Sequence, residues 1–99
     1  MFDCTGCIVQ ATAGRDKNEL FFVVGMDETQ KRLLLANGKR RKAASPKAKQ
    51  FGHVQPVDLG DFDHPVIRKL QQKASVSDRE LRRALAAFKG GNHAWQKTI

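Results

Sequence analysis

Short apolar runs separated by turn residues set the strictest limit on how this chain can fold. The runs at residues 6–12, 20–24 and 32–36 are rich in β-branched or bulky apolar side chains and are too short for stable helices. Each is followed by glycine or asparagine, residues that favour turns. Residues 20–24, LFFVV, are apolar throughout and predict a strand buried on both faces. The first third of the chain is therefore predicted to form short strands joined by tight turns.

The region after residue 36 is predicted to complete a small barrel. Asn37-Gly38 is typical of a two-residue type I′ hairpin turn, so residues 39–44 are predicted to pair back as a fourth strand. Residues 45–50 are predicted to be a basic loop, and residues 51–57 supply a fifth β-like segment. Five short strands in about fifty residues leave no room for parallel crossovers. They favour a closed or nearly closed barrel, because closure removes exposed edges.

The spacing of apolar residues becomes helical after residue 57. A first stripe follows an N-cap at Asp63 or His64 and consists of Val66, Ile67 and Leu70. A second helix is predicted to begin at a capping box, Ser77 to Glu80, and to stop at Gly90-Gly91. Its apolar stripe consists of Leu81, Ala84, Leu85 and Phe88. The arginines on its opposite face are predicted to be solvated: Arg79, Arg82 and Arg83. We predict a β domain over residues 1–57 and a helical extension of it over residues 58–99.

The distribution of charge gives the first indication of function. The formal net charge is +8 in 99 residues, which suggests a polyanionic partner. Residues 28–55 carry eight basic side chains against a single acidic one, whereas residues 1–27 carry two against four. Nucleic acid, an anionic membrane surface and heparin-like polymers all fit this balance, and so does a solvated basic face. The predicted helices lack the bulky apolar face of interfacial membrane anchors, and the sequence predicts a cytoplasmic protein with no membrane partner.

Catalytic and metal-binding motifs are scarce in the sequence. Cys4 and Cys7 form a CxxC pair, but the histidines are scattered without paired ligand spacing, so two ordinary thiols are favoured over a zinc or redox site. His53 with Asp58 and Asp61 offers an acid–base set that has no evident nucleophile or orienting partner. The sequence therefore predicts that the protein is not an enzyme and needs no cofactor or metal.

Two stretches resemble a known family of RNA-binding proteins. Residues 6–25, GCIVQATAGRDKNELFFVVG, resemble a KOW motif, in which a loop with a central glycine and basic residues joins two apolar strands. The order of this motif, Asn37-Gly38, the basic stretch 39–49, residues 51–56 (FGHVQP) and the helix opening 74–81 (ASVSDREL) extends the likeness. Over about residues 5–90 the chain is similar to the family of the fourteenth large-subunit ribosomal protein of archaea and eukaryotes and its short bacterial KOW-domain relatives.

The resemblance implies a mainly β fold, a small five-stranded SH3-like barrel with one or two C-terminal helices packed on it. It implies docking on structured RNA of the large ribosomal subunit by a protein that is monomeric when free, with neighbouring ribosomal proteins as further contacts. The alternative is a transcription or translation factor whose barrel binds a protein. The residues predicted to bind RNA are Arg15, Lys17, Lys39, Arg40, Arg41, Lys42, Lys47, Lys49 and His53.

Three aromatic positions complete the sequence-based expectations. Phe21 and Phe22 lie in the LFFVV run and are predicted to be core residues. Phe51, beside the basic residues, is the better candidate for stacking on a base, although a core position is favoured for it too. Trp95 is predicted either to pack on the barrel or to contact a partner.

Overall fold

The computed structural model describes residues 3–59 and 61–90 as one sheet with two helices. The strands are β1 (Ile8–Ala11), β2 (Leu20–Asp27), β3 (Arg32–Ala36), β4 (Lys47–Gln50) and β5 (Val54–Asp58). A one-turn 3-10 helix, Phe51–His53, joins β4 to β5. The helices α1 (Pro65–Gln71) and α2 (Asp78–Gly90) follow. The prediction of a mainly β chain with five strands and C-terminal helices is confirmed.

All five strands pair antiparallel in one sheet, in the order β4-β3-β2-β1-β5. The sheet is not closed, and β4 and β5 are its two edges. A flat five-stranded sheet would separate its edge strands by about 19 Å, whereas the three-residue link between β4 and β5 spans about 14 Å at most. The sheet must therefore curl. Register shifts between Ile8 and Val9 and between Val23 and Gly25 supply irregularities that bend and twist strands.

The prediction for the fourth strand was wrong in position. Residues 39–44 belong to a loop, and the residues predicted to be a loop, 45–50, contain β4. Gly38 has a positive φ of 78°, but Asn37 does not, so the two-residue type I′ turn does not form. Instead the Asn37 side chain accepts hydrogen bonds from the backbone N–H groups of Lys39 and Arg41. These bonds hold the backbone after Gly38 in a loop, and β4 begins only at Lys47.

Each face of the sheet covers a separate apolar cluster. Phe21 and Phe22 point to opposite faces and are 1% and 0% exposed, which confirms the prediction that β2 is buried on both sides. Sheet residues on the helix side are Ile8, Leu20, Phe22 and Ala36, and the apolar stripes of both helices pack against them. The second cluster contains Val9, Ala11, Phe21, Val23, Leu33 and Leu35. The helices thus share a core with the sheet.

The helix boundaries follow the signals in the sequence. His64 is the N-cap of α1, with Nδ1 accepting from the N–H of Val66, and Pro65 occupies the first turn. Ser77 Oγ accepts from the N–H of Glu80, whose carboxylate accepts from the N–H of Ser77, so the predicted capping box is confirmed. The predicted apolar stripe of α2 is buried as expected. Trp95 lies outside the described residues.

Candidate nucleic-acid interface

Three segments that carry most of the predicted RNA-binding residues meet at one end of the sheet. They are the β1–β2 loop (residues 12–19), the β3–β4 loop (residues 37–46) and the 3-10 helix, and we call this region the basic end. The N–H of Thr12 donates to the carbonyl of His53 over 2.8 Å, which joins the first loop to the 3-10 helix. Lys49 Nζ donates to the carbonyl of Ala13 over 2.9 Å, which joins β4 to the same loop. The sheet thus brings together residues that lie far apart in the sequence.

A buried ion pair joins the two loops directly. Arg41 donates to Asp16 Oδ2 through both Nε (3.0 Å) and Nη2 (2.9 Å). The Asp16 side chain is 2% exposed and that of Arg41 is 25% exposed. A charge-assisted contact that is this shielded from water holds its partners more firmly than a surface pair does. The loops therefore have a fixed position relative to each other.

The β3–β4 loop is also fastened to α2. Asp78 Oδ1 accepts from the N–H of Ala43 over 2.7 Å, and Arg82 Nη1 donates to the carbonyl of Gly38 over 2.7 Å. Gly38 is required for this approach, because a Cβ added there would lie 2.2 Å from the carbonyl oxygen of Asp78. Arg82 was predicted to be solvated. Its side chain is exposed, but its guanidinium also donates this hydrogen bond to the loop.

The fold brings most of the predicted RNA-binding residues to the basic end with exposed side chains. These are Arg15, Lys17, Lys39, Arg40, Lys42, Lys47 and His53. The remaining two, Arg41 and Lys49, use their cationic groups inside the protein as just described. Lys49 is only 8% exposed. Their geometry suits the positioning of the loops better than direct contact with a phosphate.

Acidic residues at the basic end are already paired. Asp16 is bound by Arg41, and Glu19 Oε2 lies 3.7 Å from Arg40 Nη1. Among residues 3–59 and 61–90, no ion pair involves the five other exposed lysines and arginines of this end: Arg15, Lys17, Lys39, Lys42 and Lys47. The positive charge of the basic end is therefore directed at solvent and available to an anionic ligand.

The prediction of a core position for Phe51 was wrong. Its side chain is 41% exposed, because it lies in the 3-10 helix and outside the alternation of the strands. Phe51 and Leu59, which is 64% exposed, border a small apolar pocket that also contains Cys4 and Cys7. The residues that line this pocket with Phe51 include no lysine, arginine or histidine.

The two cysteines lie close together, since the N–H of Cys7 donates to the carbonyl of Cys4 over 2.9 Å, and they form no disulfide. Burial, and after it the charge of Cys4, raises the pKa of Cys7 to about 11, and burial also raises the pKa of Cys4. Both therefore carry their protons at neutral pH and are weak nucleophiles. In the described part of the chain, no group of three or more histidine, cysteine or acidic residues could hold a metal ion.

The acid–base set considered from the sequence is separated in the structure. His53 immediately precedes β5 and Asp58 is its last residue, so the two are separated by the length of the strand, about 16 Å. Asp58 is buried, and its carboxylate accepts from the N–H groups of Asp61 and Phe62. This carboxylate shapes the turn after β5 and is distant from His53.

Comparisons with family models and with curated proteins find no match for this chain. The resemblance to KOW proteins therefore stays a prediction. Across residues 3–59 and 61–90, no helix has the length and apolar character needed to cross a membrane.

Sequence reasoning missed the residues that hold the basic end together. They are Asp16, Asn37, Asp78 and Arg82. The one local signal was an acidic residue between two basic ones, Arg15-Asp16-Lys17, which hints at an internal partner for the carboxylate. The partners of Asp78 and Arg82 lie 35 and 44 residues away, and no local pattern indicates them.

Proposed function

We propose that the protein is an RNA-binding module that docks on structured ribosomal RNA through the basic end. One observation carries the proposal: two loops from different parts of the chain are locked side by side, and most of their exposed cations make no ion pair with an acid of the described chain. The contact residues we propose are Arg15, Lys17, Lys39, Arg40, Lys42, Lys47 and His53. Arg41 and Lys49 position them. The proposed activity is binding and not catalysis.

We further propose that the curled sheet is an SH3-like barrel. Two features support this: the antiparallel order β4-β3-β2-β1-β5 and the single 3-10 turn that links the two edge strands. In such a barrel the β1–β2 loop and the β4–β5 link lie at the same end. The hydrogen bond from Thr12 to His53 is consistent with that arrangement.

The mode of binding we propose depends on phosphate position more than on base sequence. Lysine and arginine neutralise phosphates and release counterions, so affinity falls steeply with salt. Side chains cannot read the deep, narrow major groove of an RNA duplex, so a rigid basic surface recognises the spacing of phosphates and the shape of the helix. Phe51 adds a surface on which one unpaired base could stack.

The large ribosomal subunit is the proposed location, on the basis of the family resemblance. The second candidate is a transcription or translation factor whose barrel binds a protein, and the exposed Phe51 and Leu59 at an apolar pocket favour it. Sedimentation of a cell lysate through sucrose at moderate salt distinguishes the two. Recovery with large subunits supports the first, and recovery with a polymerase or factor complex supports the second.

The test of RNA binding neutralises cations of the basic end and compares the result with neutralised cations elsewhere in the molecule. Arg15, Lys17, Arg40 and Lys42 are replaced together by glutamine, and affinity for a duplex RNA hairpin is measured across a range of salt concentrations. If the four make phosphate contacts, the log–log salt slope becomes shallower by about three units. A variant with Lys31→Gln and Lys73→Gln is the control, because both residues are exposed and neither belongs to the segments that form the basic end. Equal slopes for the wild type and the fourfold variant would refute the proposal.

A further inference from the structure

A cleft lies between the basic end and α2. It has a volume of about 270 Å³, is lined by both basic loops and by one side of α2, and is open to solvent. Liquid water occupies about 30 Å³ per molecule, so the cleft holds the equivalent of about nine waters. That is room for a phosphate group with part of its sugar.

The polar groups lining the cleft suit an anion. Lys39 comes from the β3–β4 loop, and Arg82 and Lys89 come from α2, about two turns apart. Asn18 and Asn37 also line the cleft, and the amide of Asn37 is already bonded to Glu19 and to the loop backbone. Three cations from two chain segments therefore line one concave surface. A surface of this composition binds a phosphate better than a flat patch does, because several donors can bond the same group of oxygens.

Glu19 is the acidic residue in the lining, and its carboxylate is already engaged. Arg40 lies 3.7 Å from one oxygen, and Asn37 Nδ2 donates to the other over 3.4 Å. The repulsion of a phosphate by Glu19 is therefore offset by the arginine beside it. The cleft remains net positive with Glu19 present.

The arginine of the cleft differs from the cations of α1 in its partners. Arg68 donates to Asp63 over 2.7 Å, and Lys69 pairs with Glu80, so both have a carboxylate as partner. Arg82 instead donates to a neutral backbone carbonyl, that of Gly38. That bond fixes the direction of the guanidinium without cancelling its charge. Among the described residues, Arg82 makes no ion pair.

We propose that this cleft binds a backbone phosphate of the RNA, so that α2 is part of the RNA-binding surface and not only a structural support. The proposal rests on the RNA-binding function proposed above and adds a site on a helix to it. Arg82 and Lys89 contact the phosphate oxygens from one wall, and Lys39 contacts them from the other. The apolar stripe of α2 holds that wall in place, since Leu85, which also lines the cleft, is buried in the core.

The test compares pairs of neutralised cations. Arg82→Gln with Lys89→Gln removes two charges from the cleft, and Lys31→Gln with Lys73→Gln removes two charges elsewhere. The probe is a duplex RNA hairpin of about 16 base pairs, measured between 50 and 200 mM salt. Two lost contacts reduce the salt slope by about 1.4 to 1.8 units, so the loss of affinity over that range shrinks by about tenfold. We expect this change for the cleft pair and a smaller one for the control pair.

Lys89→Gln alone separates binding from folding, because Arg82 also fastens a loop. This variant leaves the bond from Arg82 to Gly38 intact and is expected to lower the slope by about 0.7 to 0.9 units. Its Tm is measured beside the binding, so that a fall in slope can be compared with any fall in stability. If both cleft variants behave like the control while the fourfold loop variant loses binding, the cleft proposal is wrong and the RNA-binding function stands. If the loop variant and the cleft variants all bind like the wild type, the RNA-binding function itself is wrong.

Discussion

The ion pair between Asp16 and Arg41 makes the most discriminating prediction about how the basic end works. Exposed ion pairs contribute about 0.2–1 kcal/mol, whereas removing one partner of a buried pair costs about 3–5 kcal/mol. With side chains 2% and 25% exposed, this pair lies between those limits and closer to the buried one. We expect Asp16→Ala to lower the free energy of unfolding by about 2–4 kcal/mol. For a chain of 99 residues that corresponds to a fall in Tm of about 8 °C or more.

A double-mutant cycle with Arg41→Ala isolates the interaction between the two side chains. Urea unfolding of the wild type, both single variants and the double variant gives the coupling energy, which we expect to be about 2 kcal/mol. A coupling energy below about 0.5 kcal/mol would mean that the pair behaves as a surface contact, and the two loops would not be locked by it.

Asp16→Ala has two opposing effects on RNA binding, one through net charge and one through the position of the loops. Asp16→Ala raises the formal net charge from +8 to +9, which by charge alone strengthens binding to a polyanion. Loss of the bond between the loops weakens it. We expect weaker binding for Asp16→Ala, measured well below its Tm, and unchanged or stronger binding for Glu28→Ala, which removes an exposed acid from the β2–β3 turn. Tighter binding by Asp16→Ala would refute the positioning role.

Three further predictions concern stability. Gly14 has a φ of 82°, so Gly14→Val should cost about 1 kcal/mol or more and lower RNA affinity with it; a variant with wild-type Tm but lost binding would instead indicate close approach of RNA to the backbone. Leu85→Ala should cost about 2–5 kcal/mol in urea unfolding, since the residue is 5% exposed, whereas Arg83→Ala should be nearly neutral; a neutral Leu85→Ala would contradict the packing of α2. Hydrogen bonds from Lys69 and the N–H of Ser77 lower the pKa of Glu80 from 4.5 to about 2. Its stabilising contribution is therefore present above pH 4.5 and lost as the pH falls towards 2, and Glu80→Gln should flatten the pH dependence of unfolding in that window.

The sequence predicted best the features that depend on neighbouring residues. The capping box of α2, the N-cap His64 and the strand Arg32–Ala36 each depend on a short stretch of chain, and all are present. The position of β4 was wrong, because the side chain of Asn37 organises a ten-residue loop where a two-residue turn was expected. The dipeptide Asn-Gly does not show whether the asparagine side chain will accept hydrogen bonds from the backbone that follows it, and those bonds decide which turn forms.

The sequence predicted which basic residues belong to the candidate site, but not which contacts hold them in place. Charge counting located the basic residues, and seven of the nine are exposed where the loops meet. It could not distinguish Arg41 and Lys49 from the others, because their partners, Asp16 and the carbonyl of Ala13, lie 25 and 36 residues away. A cation that binds RNA and a cation that fastens a loop look the same in a sequence.

The open edges of the sheet bear on how this protein behaves at high concentration. An unpaired edge strand can template pairing with a second chain and so promote aggregation. Both edges here carry residues that oppose this: β4 begins with the exposed Lys47, and β5 includes Pro56, which has no N–H to donate. Lysine on one edge repels a second copy of the same edge. We therefore expect Lys47 on β4 and Pro56 on β5 to oppose pairing of either edge with the same edge of a second copy.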